Sequence, residues 1–240
     1  MLPLRDIHAA TSGAGRQPMS KQRSGTLSGA TGDVEILERS TLYQGFFALH
    51  RLRLRHRLFA GGWSRPLTRE LFVRGPAVGV LLYDPEHRLV GLVEQFRVGA
   101  LDEPAGPWLT EVVAGMVEPG EAPAAVAHRE VEEEAGIRTV DLEPICRYLT
   151  SPGGSDETLT LFCGLTDLRE RAGCFGRDDE HEDIRFLVIP EAEALDGLAT
   201  GRYNNAPTIV SLQWLALNGA RLREGDSQCA NQSTDWGSGN

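Results

Sequence analysis

The chain has 240 residues, 41% of them hydrophobic, and carries 24 Lys and Arg against 34 Asp and Glu for a formal charge of −10. That length and apolar share can bury one substantial core, so one domain with a small amino-terminal addition is expected. No apolar run reaches the ~20 residues of a membrane span, and the acidic balance disfavours nonspecific nucleic-acid binding.

Residues 1–32 are rich in Ser, Gly and Thr and are expected to be a disordered tail, with Met19 an alternative start. Arg5, Arg16, Lys21 and Arg23 give this tail a faint targeting-peptide flavour, which Asp6 and the lack of an apolar stretch oppose. Residues 33–59 and 67–74 read as strands of an amino-terminal sheet, and 33–75 is set apart from a catalytic region over 76–218. Within that region 77–83, 89–97, 142–149, 159–165 and 184–189 read as apolar strands, while 190–198 and 206–217 read as helices. Residues 219–240 are polar and are expected to form a second disordered tail. Cys146, Cys163, Cys174 and Cys229 show no CxxC pairing and follow no secretory signal, so they read as thiols of a reducing cytoplasm and not as zinc ligands.

Residues 115–137, GMVEPGEAPAAVAHREVEEEAGI, are the most informative stretch. Pro123 suits the first turn of a helix and Gly136 the left-handed position just past its end, which implies a helix of about three turns. Ala124, Ala127, Val131 and Ala135 form a narrow apolar stripe, and Glu130, Glu133 and Glu134 line a neighbouring face. Like charges at these spacings repel by about a few tenths of a kcal/mol per pair. A hard divalent cation such as Mg²⁺, which takes carboxylate oxygens and is completed by substrate phosphates, relieves the repulsion.

An arbitrary Glu run on a helix is most often a solvated face, but the spacing here decides otherwise. Gly115, five residues, Glu121, seven residues, Arg129-Glu130, an aliphatic, any residue, Glu133-Glu134, any residue, Gly136 and an aliphatic meet every position of the Nudix signature. Such a match arises by chance on the order of once in 10⁹ starting positions. The chain therefore resembles a Nudix hydrolase. By that resemblance Glu130, Glu133 and Glu134 are expected to hold Mg²⁺, with Mn²⁺ as a substitute, and the Ala114 carbonyl to add a ligand. Glu121 and Arg129 are expected to pair and fix the loop against the helix. Gly115 leaves room for close approach of backbone and metal.

The flanks narrow the resemblance to the ADP-ribose pyrophosphatase subgroup. The turn Ser151-Pro152-Gly153-Gly154 puts a proline fifteen residues past Ile137. The motifs LYQGFF from Leu42, HRLF from His56, Arg69-Glu70, EQFR from Glu94, WLTE from Trp108, EHEDIR from Glu180, Asn205-Ala206 and LQWL from Leu212 continue it, so the similarity spans residues 33–218. The fold implied is the α/β/α Nudix sandwich with a mixed sheet, preceded by a small antiparallel sheet that the subgroup shares across a homodimer. The activity implied is hydrolysis of ADP-ribose to AMP and ribose 5-phosphate.

The same resemblance makes Glu180, in the acidic loop 178–183, the base, with Glu182 a second candidate and His181 a solvent-facing neighbour. Arg97 is expected on the phosphates, Phe46 against adenine, Arg69 and Glu70 on adenine and ribose across the dimer, and Met116 and Glu157 at the substrate. Asp156 and Glu157 read equally as ribose contacts or turn caps. Trp108 reads as packing or binding, and Glu111 as a support. A Nudix enzyme for a GDP-sugar or dinucleotide shares the box and would differ around Phe46, Arg69 and Glu70; a noncatalytic ADP-ribose sensor would be expected to show a damaged box, and this one is complete.

Overall fold

In the computed structural model, residues 32–177 and 182–225 are described. The run AVGVLLY is apolar at almost every position because its strand, β4 (Pro76–Asp84), is covered on both faces. The strands before it are β1 (Val34–Gln44), β2 (Ala48–His56) and β3 (Leu67–Val73), and those after it are β5 (Leu89–Phe96), β6 (Trp108–Glu111) and β7 (Val113–Met116). Helix α1 (Pro123–Ala135) follows, then β8 (Asp141–Leu149), β9 (Thr158–Leu165), β10 (Gly173–Phe175), β11 (Ile184–Pro190), α2 (Glu191–Thr200) and α3 (Ala206–Arg223).

The large sheet has the order β10-β11-β5-β4-β9-β8, with β6 extending β5 and β7 extending β4. It is mixed, since β4 and β9 run parallel while the other pairs are antiparallel. Alternate side chains leave opposite faces of a strand. Val78, Val80 and Leu82 meet Val126, Ala127, Val131 and Ala135 of α1, while Leu81, Tyr83, Val90 and Leu92 meet Ala194, Leu212, Leu215 and Leu222 of α2 and α3. This is the three-layer α/β/α arrangement expected.

Contacts among the described residues separate two compact units, one of residues 32–39 and 52–68, the other of 40–51 and 69 onward. Strands β1, β2 and β3 form a three-stranded sheet in that order. In the first unit Arg57 donates its N–H to the Asp33 carbonyl at 2.8 Å, Arg55 pairs with Glu35 at 2.5 Å, and Arg55 and Arg57 both lie over Trp63. In the second, Phe47 and Phe72 meet edge to face at 5.3 Å under the Arg74 guanidinium.

Four local features differ from the sequence reading. Strands β6 and β7 fall where a loop was expected; each has four residues, and Val112 interrupts them by donating its N–H to Thr208 Oγ1 at 3.0 Å. The three-residue β10 carries too little pattern to be read. Ala124 is exposed, and Val126 takes its place in the buried stripe of α1. Helix α3 runs on past residue 217 to Arg223, so residues 219–223 are helical and not tail, because Leu222 is buried and Arg221 and Arg223 pair with Glu143 and Glu191. Glu191 also accepts from the Tyr83 hydroxyl at 2.7 Å, and burial together with that carboxylate pushes the Tyr83 phenol up to about 12. The rest of both expected tails, 1–31 and 226–240, lies outside the described residues.

Candidate active site

Helix α1 begins at Pro123 and ends at Gly136, whose φ of 66° is the left-handed geometry a Cβ would strain. It packs chiefly on β4, β7, β10 and β11, and the small side chains of its stripe bring its acidic face down beside β7. Glu134 is consequently 3% exposed and Glu130 9%. Glu134 Oε2 accepts the Ala114 N–H at 3.1 Å. Gly115 lies so close to Glu130 that a Cβ there would sit 1.9 Å from Oε1. The backbone of β7 is thus pressed against two of the three glutamates.

Arg129 serves its own helix more tightly than the preceding loop. Its Nη1 reaches Glu130 Oε1 at 2.8 Å and Glu133 Oε2 at 3.2 Å, whereas its Nη2 stands 3.8 Å from Glu121 Oε2. Glu121 accepts the Glu118 N–H at 2.9 Å, which closes the turn ahead of the helix. Arg177 Nη1 adds a contact to Glu133 Oε1 at 3.5 Å. Sequence reasoning missed Arg177; a lone Arg directly before the acidic loop was the available signal.

Burial dominates the electrostatics. It pushes Glu130 up to about 7, with Arg129 opposing and Glu133 and Glu182 adding. It pushes Glu134 up to about 8, with the Ala114 N–H and Arg97 opposing and Glu130 and Glu182 adding. Two carboxyls whose charged forms are penalised by burial and by neighbouring carboxylates, against a backbone only glycine allows, suit a hard divalent cation with oxygen ligands. The tightest group of potential ligand atoms among the described residues lies elsewhere, at Asp84, His87 and Asp167. There Asp84 already accepts from the His87 and Leu168 N–H groups and Asp167 is held by Arg169, so the group is a loop clasp. The α1 glutamates do not converge as closely, since Arg129 and the Ala114 N–H hold separate carboxylates.

This arrangement predicts the pH response of the cation-free protein. A carboxyl whose folded pKa lies above its unfolded value near 4.5 favours folding fully below that value, and the contribution is lost as pH rises through 7 for Glu130 and 8 for Glu134. Melting temperature in chelator is expected to fall between about pH 4.5 and 8 on account of these two groups. Because cations compete with the protons, the upward shift on adding Mg²⁺ is expected to grow over the same range. A shift of constant size would exclude binding at these carboxylates.

A cavity of about 360 Å³ is lined by Gln95, Phe96, Arg97, Trp108, Glu182 and Asp183. Arg97 Nε donates to Glu111 Oε2 at 2.6 Å, so Glu111 orients the guanidinium. Trp108 is half exposed and meets Phe96 edge to face at 5.9 Å. Glu182 lines this cavity, and its charge acts on both Glu130 and Glu134. Glu180 and His181 lie outside the described residues. A larger cleft of about 480 Å³ opens beyond Gly136, between residues 136–141 and 165–171, away from the glutamates.

The remaining expected residues are carried by other elements. Phe46 stands 87% exposed on the β1–β2 turn, edge-on to Phe47. Arg69 and Glu70 lie exposed on β3. Met116 ends β7, half-buried and opposite Ala77. Asp156 caps a turn, accepting the Arg74 and Gly75 N–H groups at 2.8 and 3.2 Å. Glu157 pairs with Arg74 at 2.9 Å and accepts from Thr150 Oγ1 at 2.8 Å.

A family model described as NUDIX domain matches residues 73–228. An ADP-ribose pyrophosphatase of Haemophilus influenzae is 45% identical over 195 residues, covering 80% of this chain and 90% of that protein. One from Escherichia coli K12 is 44% identical over 191 residues, covering 80% and 91%. A GDP-mannose pyrophosphatase of Cronobacter sakazakii is 34% identical over 189 residues, covering 78% and 97%. A crystal structure described as an ADP compounds hydrolase matches with a TM-score of 0.61 at 20% identity, covering 80% of this chain and 97% of that one, a likeness of fold. With its signature helix seated on a mixed sheet and the family model spanning most of its length, the chain belongs to the Nudix family.

Proposed function

We propose that the protein is a Mg²⁺-dependent ADP-ribose diphosphatase that releases AMP and ribose 5-phosphate. The observation that carries this reading is the set of glutamates on α1, two of them buried, beside a cavity holding Arg97 and Glu182. The substrate is supported by 45% identity to an ADP-ribose pyrophosphatase across 90% of its length, against 34% for the GDP-mannose enzyme.

Glu130, Glu133 and Glu134 would hold the cation, with the Ala114 carbonyl beside them. When bound, it neutralises diphosphate charge and lowers the pKa of a water toward neutrality. The chain's own groups do the rest. Arg97, fixed by Glu111, presents a planar fork suited to phosphate oxygens. Water attacks one phosphorus in line, the bridging P–O bond breaks, and the departing phosphate leaves with that oxygen. The water's proton passes to a carboxylate of the acidic loop, Glu180 by resemblance, with Glu182 next in line. Phe46, Arg69, Glu70, Met116 and Glu157 complete the reading as nucleoside and ribose contacts, with Arg69 and Glu70 contributed across a homodimer that shares the β1–β3 sheet. The exposed Tyr43 and Phe46 are the apolar surface such a dimer would cover. No helix among the described residues is long and apolar enough to cross a membrane, and a cytoplasmic location belongs to the same reading.

Product analysis tests it. Purified protein with Mg²⁺ is expected to release AMP and ribose 5-phosphate from ADP-ribose faster than it cleaves ADP-glucose, GDP-mannose, NADH or diadenosine polyphosphates, and to stop in chelator. Faster cleavage of another substrate would overturn the ADP-ribose assignment. ADP-ribose bound without turnover of any of them would make the protein a sensor.

A further inference from the structure

Gln95 stands out on a strand that is otherwise apolar at its buried positions. It is 6% exposed, and its Nε2 has no hydrogen-bond partner among the described residues. Its backbone pairs with Leu109 in the ladder. Leu or Met would fill the same space without an orphaned donor, and a buried donor left unpaired carries a desolvation penalty.

Placement shows what the donor serves. Residues two apart on a strand share a face, so Gln95 lies between Val93, part of the core under α1, and Arg97, whose charge acts on Glu134. Arg97 continues the extended backbone, with φ −129° and ψ 112°. Gln95 lines the same cavity as Arg97, Trp108 and Glu182. Arg97 Nε is engaged by Glu111, so contacts to a ligand fall to its Nη edge. A neutral donor on the same face adds a hydrogen bond to an anionic oxygen without adding a second cation next to the metal-binding glutamates.

We infer that Gln95 is a diphosphate-binding residue whose side-chain amide donates to a non-bridging phosphate oxygen beside the Arg97 guanidinium. The inference rests on the reading of the site as one for nucleoside diphosphates, and it adds a contact that discriminates oxyanions from other groups at that position.

The test is calorimetric titration of inorganic pyrophosphate, at fixed Mg²⁺, into the wild type and into Gln95→Leu and Gln95→Met, with melting temperatures of each. Pyrophosphate carries the diphosphate and no nucleoside. Both variants are expected to raise Kd about 10- to 100-fold, the worth of a hydrogen bond to a charged group, with melting temperature unchanged or higher because the orphaned donor is gone. Two substitutions of similar volume guard against a packing defect in either. An unchanged Kd in both variants, a loss of binding that tracks a lower melting temperature, or a wild type that does not bind pyrophosphate would overturn the inference. Pyrophosphate binding that depends on Gln95, without turnover of ADP-ribose by the wild type, would leave the contact standing and remove only the substrate.

Discussion

Glu134→Gln is expected to lower kcat by about a hundredfold or more while the melting temperature at pH 8 stays level or rises. The side chain is buried, and burial together with Glu130 and Glu182 raises its pKa to about 8. Its charge is therefore costly in the folded protein unless a cation shares the site. The amide oxygen of Gln can still accept the Ala114 N–H, so the fit of α1 on β7 survives. On the proposed reading what disappears is an anionic ligand, and with it charge stabilisation worth about several kcal/mol in the transition state. Kinetics with ADP-ribose and a melting curve decide the matter together. A rate within a few fold of wild type would rule Glu134 out as a ligand, and a large drop in melting temperature would make it a packing residue.

Gly115→Ala is expected to have the next largest effect, and for a steric reason. The new Cβ would lie 1.9 Å from Glu130 Oε1, 2.0 Å from Cδ and 2.4 Å from Cγ. No small adjustment relieves three contacts along one side chain, so Glu130 must rotate away as a whole. Since that carboxyl is held at a raised pKa mainly by burial, swinging it toward water costs the fold little. The variant should therefore lose at least about tenfold in kcat, the scale of misplacing one group around a metal, and change little in melting temperature. Wild-type activity would mean that Glu130 need not occupy its observed position.

The ends of α1 were legible because Pro123 suits the first turn and Gly136 the left-handed position past the last, while Ala124 of the expected stripe is exposed. The apolar strands β4, β5 and β9 were legible because both their faces are packed, and β11 because Ile184, Phe186, Val188 and Ile189 pack on the cores. Strands β6 and β7 were not, because four residues are too few for a period, and what defines them is pairing to β5 and β4, distant in sequence. Gln95 shows the same limit at the level of the site. It sat in plain view within EQFR, yet a sequence cannot say whether a buried amide has a partner. Asp156, open between a ribose contact and a local turn cap, accepts two backbone N–H groups from more than eighty residues earlier, a pairing that no local pattern carries.

The parallel pairing of β4 with β9 sets the order in which the site can come into being. Parallel neighbours cannot be joined by a hairpin, so the chain must leave β4, pass through everything from β5 to β8, and return. Helix α1 is part of that excursion. Its glutamates gain their burial, and Gly115 its close approach, only against a sheet whose centre is closed by a pairing such as Pro76 with Thr158, far apart in sequence. Closing a long loop costs entropy before its contacts repay it, which makes such pairings slow. A nascent or partly unfolded chain thus carries the whole signature sequence without the buried carboxylates that shape its site, and that site arrives with the last strands to join.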